Sequence, residues 1–257
     1  MNTRAMVLAM SCGAMAFGCA DQGNVADENQ EIIENLQQAG FPADDIMVVD
    51  GVVYTGRDAA VSLEASREML QTDGSSEEQY RTTNLVGTSI TNICINGAAF
   101  TGNFSTGLNN AIANYNALGL RWRMTRTSSS SGSGCSVTIT ARLSSGTGGS
   151  AGFPSGGRPY GTINIGTGLN SYSVDVNEHV ITHELGHTIG FRHSDYYNRA
   201  ISCGSGGNEG ASTVGAILIP GTPSTATVGG SVMNSCFRST ETGEWTSSDR
   251  TALNYLY

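Results

Sequence analysis

The chain has 257 residues, 39% hydrophobic and 14% charged, with a net charge of −9. No apolar run reaches the roughly 18 residues that a membrane helix needs, which excludes an integral helical membrane protein. The basic residues are all arginine and form no basic run, which argues against a nucleic-acid partner.

Residues 1–19 read as a signal peptide, with Arg4 followed by a short apolar stretch. The end of that stretch, Ala16-Phe17-Gly18-Cys19-Ala20, resembles a bacterial lipobox, with Ala16 where Leu is usual. Cys19 is therefore a candidate lipidation site, and ordinary cleavage after Ala20 is the alternative. An exported protein, extracellular or lipid-anchored at the bacterial cell surface, is expected. Residues 20–78 hold 14 of the 22 acids against two arginines, whereas residues 79–257 hold 8 acids and 10 arginines. Such a break marks segments with different jobs: an acidic propeptide or spacer at 20–78 and a second part at 79–257.

In the acidic segment, Asp27 is expected to cap a helix over 28–39 that Gly40 stops. Residues 46–49 and 52–54 flank Asp50-Gly51, a strong hairpin signal. A second helix is expected over 58–70, then a linker and cleavage zone at 71–79. This segment reads as a small independent unit.

Beyond Tyr80 the texture is glycine- and serine-rich. A strand is expected over 88–95 and a helix over 105–118, stopped by Gly119. Two alternating runs, 120–127 and 135–143, read as adjacent strands. A Gly/Ser loop at 144–157 precedes a short strand at 160–166. A helix over 175–189 ends at Gly190, residues 200–231 are mostly irregular, and Ser247-Ser248-Asp249 opens a last helix.

Four cysteines remain outside the leader: Cys94, Cys135, Cys203 and Cys236. In an exported chain they read as two disulfides. Three pairings are open; the sequential one, Cys94–Cys135 and Cys203–Cys236, closes moderate loops and is favoured. None lies in a CxxC, so no thiolate zinc site is expected.

The helix over 175–189 carries His183-Glu184-Leu185-Gly186-His187. Residues four apart share a helix face, so both imidazoles can hold one metal ion, and Glu184 can reach a water without ligating. Gly190 turns the chain back and His193 completes a three-histidine site; Met233 follows in a turn-like segment. The expected reaction is peptide-bond hydrolysis by a zinc-activated water, with Glu184 as general base. His179, one turn before His183, reads as a helix-surface or supporting residue. Tyr196 and Tyr197 are candidates for assisting the oxyanion. A zinc site kept for stability alone would need a fourth ligand, with Asp195 and Cys203 nearest in sequence. Gly148-Gly149-Ser150-Ala151-Gly152 fits G-x-S-x-G but lacks a strand-to-helix turn. Ca2+ has no support, since the acids beyond residue 78 show no EF-hand spacing.

These residues resemble a metzincin zinc endopeptidase, and more narrowly the bacterial dual-action HEIGH metallopeptidase family of myxobacterial type. The likeness runs through Gln79-Tyr80-Arg81-Thr82-Thr83, the long histidine motif, Met233 and the Ser248-Asp249 helix ending in Leu256-Tyr257. It implies an α+β fold: a metzincin-like zincin catalytic domain with a twisted mixed sheet, an active-site helix, a Met-turn and a C-terminal helix, behind a small acidic propeptide. It also implies one catalytic Zn2+ on His183, His187 and His193, an apolar floor from Met233, and a monomer acting on a protein or peptide substrate. In metzincins the substrate lies against an edge strand, and residues 160–165 are the candidate. Ser235 stands where astacins have a ligating Tyr. Some zymogens of this kind are silenced by an aspartate at the metal; Gly56-Arg57-Asp58 faintly resembles such a segment, with a helix N-cap as the plainer role for Asp58. A catalytically silent zinc-binding surface lipoprotein and a zinc amidase acting on cell-wall peptides are the competing readings.

Overall fold

The computed structural model describes residues 20–71, 80–129, 134–210 and 216–257. The expected signal peptide, with Cys19, and nearly all of the expected linker lie outside the described residues.

The elements are α1 (Ala20–Gln38), β1 (Met47–Val49), β2 (Val52–Thr55), β3 (Ala59–Ala60), α2 (Leu63–Met69), β4 (Tyr80–Arg81), β5 (Asn92–Asn96), α3 (Gly102–Ala117), β6 (Arg123–Thr127), β7 (Val137–Ser144), β8 (Gly149–Gly152), β9 (Thr162–Gly166), α4 (Val174–Thr188), α5 (Ala200–Cys203), β10 (Ile217–Leu218) and α6 (Ser247–Leu256). One sheet runs in the order β1-β2-β3-β8-β9-β7-β5-β6; β10 and β4 form a second. In the large sheet β9, β7, β5 and β6 are parallel and β8 is antiparallel to β9. The fold is α+β with a mixed sheet.

In the acidic segment, α1 begins ahead of Asp27, so Asp27 is internal and caps nothing. No proline interrupts residues 20–27, and the helical run extends through them. β1 and β2 pair around Asp50-Gly51, whose φ values of 50° and 78° make a turn matching strand twist. The second helix starts later than expected. Ser62 is its cap, accepting from the Ala65 N–H at 3.1 Å. Residues 59 and 60 instead pair with β2 on one side and β8 on the other. Sheet pairing on both sides outweighs local helix propensity here. Asp58 is therefore free of capping duty.

The segment is not an independent unit. Its strands continue the large sheet, and its apolar cluster of Ile32, Leu36, Phe41, Val53 and Met69 includes Phe153 from the residue after β8.

Three further expectations are corrected. β6 and β7 are not neighbours; β5 lies between them, parallel to both, with Ile93 and Ile95 fully buried. The Gly/Ser stretch at 144–157 contains strand β8. Residues 160–165 do not form an edge: β9 is flanked by β7 and β8, because Ile163 and Ile165 belong to the core. The strand that ends this part of the sheet is β8, and β3 covers its outer side.

The main core lies between the sheet and helices α3 and α4. Ile139, Ile163 and Ile165 of the strands meet Leu108 of α3 and Ile181 and Leu185 of α4, all fully buried. Each such side chain contributes roughly 1.5–3 kcal/mol. α4 is thereby fixed against β8, with residues 176–188 all buried.

Candidate active site

α4 starts at Ser173, whose hydroxyl accepts from Val176 N–H at 3.2 Å. It ends in a Schellman turn: Phe191 N–H donates to Gly186 O and Gly190 N–H to His187 O. Gly190 supplies the positive φ, 110°, which a side chain would strain. The departing chain is caught by β4, with Thr82 N–H donating to Gly190 O and Arg192 N–H to Tyr80 O. That exit returns His193 to His183 and His187. His183 Nε2 lies 3.1 Å from His187 Nε2 and 3.2 Å from His193 Nε2.

Each ring is aimed by a bond at its other nitrogen. His183 Nδ1 meets Val232 O at 2.8 Å, His187 Nδ1 meets Phe191 O at 2.8 Å, and His193 Nδ1 meets Glu209 Oε1 at 2.6 Å. A carbonyl oxygen only accepts, so Val232 O and Phe191 O assign the proton of His183 and His187 to Nδ1 and leave those two Nε2 lone pairs free. Burial, above all, pushes the His187 pKa down to about 3, so that ring is neutral. Lone pairs converging at about 3 Å repel one another unless a cation sits among them. A tetrahedral ion with Zn–N bonds of about 2.0–2.1 Å separates its nitrogens by about 3.4 Å. The donor set therefore fits zinc.

Asp58 completes the cluster, and these four are the ones among the described residues that bring metal-ligating atoms together. Its Oδ2 is 3.2 Å from His193 Nε2 and 3.8 Å from His183 Nε2; Oδ1 is 3.6 Å from His187 Nε2. Burial works against its ionisation, but the charge and hydrogen bonds of the histidines prevail and hold its pKa well below the usual range. For His193, burial alone would lower the pKa, yet Asp58 and Glu209 together raise it well above normal.

Glu184 is 2% exposed, and its Oε2 has no hydrogen-bond partner among the described residues. Burial first, and then the charge of Asp58, raises its pKa well above the usual carboxylate range. Gly149 of β8 packs directly on it, leaving no room for a Cβ beside the carboxylate.

The Met segment is held from behind. Asp249 caps α6 in a reciprocal box with Thr246, accepts from Ser231 Oγ at 2.6 Å and from Val232 N–H at 3.1 Å. Val232 O in turn receives His183. Met233 is buried, and its Sδ would lie 2.6 Å from a Cβ at Gly186, so the thioether packs directly against the bare backbone of α4.

A cleft of about 330 Å³ opens here, lined in part by Asp58, His179, Glu184, Arg199, Asn234 and Phe237. His179 is not on the helix surface. It is buried in the cleft wall, 3.9 Å from Glu241, with its pKa pushed down to about 4, chiefly by burial. No tyrosine lines the cleft among the described residues. Tyr196 stacks edge-on against Tyr80 at 4.0 Å, and Tyr197 Oη accepts from Ala226 N–H. Neither lines the cleft. Ser235 donates to Asp195 at 2.7 Å, and Asp195 also accepts from Ser202. Cys203 is bonded to Cys236 and Cys94 to Cys135. Asp195 and Cys203 are thus committed away from the metal cluster.

Sequence reasoning missed Glu209, Asp249 and Gly149 as parts of this site. Glu209 carried one signal: it is the sole acid between Asp195 and Glu241.

No curated protein matches the chain. Two solved structures of myroilysin are similar at 12% identity. One aligns over 68% of this chain and 95% of its own with a TM-score of 0.41, the other over 72% and 93% with a TM-score of 0.37. The family model described as dual-action HEIGH metallo-peptidase matches residues 53–257, beginning inside the acidic segment. Its extent and the histidine cluster agree, and the chain belongs to the dual-action HEIGH metallo-peptidase family.

Proposed function

We propose that the protein is an exported, metzincin-type zinc endopeptidase held latent by its acidic segment. The observation that carries the reading is the convergence of three histidine Nε2 atoms beside a buried carboxylate with one oxygen unpartnered among the described residues. His183, His187 and His193 would hold the zinc, which supplies Lewis acidity when bound. Glu184 in its ionised form takes the proton of the attacking water on Oε2 and passes it to the leaving amine nitrogen. Met233 keeps the floor apolar, and burial of the three histidines and Glu184 limits access of bulk water.

Residues 20–78 act as a propeptide in this reading, and 79–257 as the catalytic part. Two contacts support latency: Asp58 at the histidines and β3 against β8. An extended substrate would add to β8 once β3 has left. Export is supported by the disulfides and by the leader-like start of the sequence.

The test is casein hydrolysis by the chain before and after limited proteolysis, beside Glu184→Ala at equal zinc content. Activity in the processed wild type alone supports the reading. Equal turnover in zinc-loaded Glu184→Ala removes Glu184 as the base.

A further inference from the structure

His193 is held differently from the other two histidines. His183 and His187 lie on α4 and lean on neutral carbonyl oxygens, whereas His193 lies past the helix end and leans on a carboxylate. We propose that Glu209 is the positioning residue for this third ligand, keeping the proton on His193 Nδ1 and the Nε2 lone pair aimed at the metal. The inference rests on the metallopeptidase reading above.

Glu209 is 1% exposed and is placed by its backbone, whose N–H donates to Tyr196 O at 2.7 Å. Its shortest side-chain bond is the one to His193, at 2.6 Å; Arg199 lies at 3.1 Å and Arg192 at 3.4 Å. The two guanidinium groups hold the carboxylate from its other sides, one on each oxygen. A carboxylate behind a metal-bound imidazole raises the basicity of the ligating nitrogen. A turn residue needs such an anchor more than a helical one, because no helix backbone sets its ring direction.

The same carboxylate connects the ligand to the acidic segment. Arg199 Nη1 donates to Gly56 O at 2.7 Å as well as to Glu209, and Gly56 N–H donates to Asp45 at 2.8 Å. The backbone two residues before Asp58 thus reaches His193 through one arginine and one glutamate.

The test is zinc affinity of the full chain by chelator competition, for wild type, Glu209→Gln and Glu209→Ala. The expected losses are about 10-fold and about 100-fold. In parallel, the zinc-loaded wild type should show a strongly downfield His193 Nδ1–H proton resonance. That resonance moves upfield in Glu209→Gln while those of His183 and His187 stay. Unchanged affinity in Glu209→Gln, or absence of the downfield proton in wild type, overturns the proposal even where Glu209→Ala fails to fold. A wild type that binds no zinc overturns the metallopeptidase reading, and this inference with it.

Discussion

Asp58 Oδ2 stands 3.2 Å from His193 Nε2, so a residue of the acidic segment shares the centre of the histidine cluster. If that contact keeps the protein silent, Asp58→Ala should release activity without proteolysis. Casein hydrolysis by the unprocessed variant is expected to exceed that of unprocessed wild type at least about tenfold, corresponding to roughly 1.4 kcal/mol. An equally silent variant would leave the cover of β8 by β3 as the source of latency.

Gly149 should tolerate no side chain, because a Cβ there runs into the Glu184 carboxylate. Gly149→Ala is expected to keep its zinc and lose at least about 100-fold in kcat/KM, the usual effect of displacing a catalytic group by about 1 Å. Zinc stoichiometry and steady-state kinetics on the processed protein check this. Full activity would mean that Glu184 is less confined than its packing implies.

His179 should make the fold acid-sensitive. Burial pushes its pKa down to about 4 from an ordinary value near 6.5, so the unfolded chain binds its proton first as pH falls. Stability from this group is complete above pH 6.5 and is lost between pH 6.5 and 4, on the order of 3 kcal/mol. Urea unfolding of His179→Gln should show a flatter dependence over that window. Parallel curves for the two proteins would reject the assignment.

The Cys203–Cys236 bond closes a loop of sequence separation 33 and holds one wall of the cleft, where Cys236 and Phe237 lie. Replacing both cysteines by alanine should cost about 3–4 kcal/mol by the loop-entropy relation. Denaturant midpoints of the oxidised wild type and the double variant provide the measurement. A loss below about 1 kcal/mol would show that the hydrogen bonds of Asp195 with Ser202 and Ser235 hold this wall unaided.

Elements with strong local signals were legible in the sequence. The Asp50-Gly51 hairpin, α3 ending before Gly119 and α4 ending before Gly190 all follow from turn and period rules acting over a few residues. Where the competing partner is remote, the local rules fail. Residues 59 and 60 are helical by pattern, yet they find β2 and β8. Residues 149–152 are glycine-rich and loop-like, yet they form the strand against which Glu184 packs.

The residues that make up the histidine cluster were readable from local pattern alone: two histidines one helical turn apart, a glutamate between them, and a glycine that lets the chain return with a third. That information is local, because helix period and backbone freedom set it within eleven residues. What aims and covers the site emerges from the folded chain. Glu209 behind His193, Asp249 behind the Met segment and Asp58 in front of the cluster come from distant parts of the chain. Burial selects them, since a charge in a dry site must find a partner wherever the fold supplies one, and no spacing in the sequence records that.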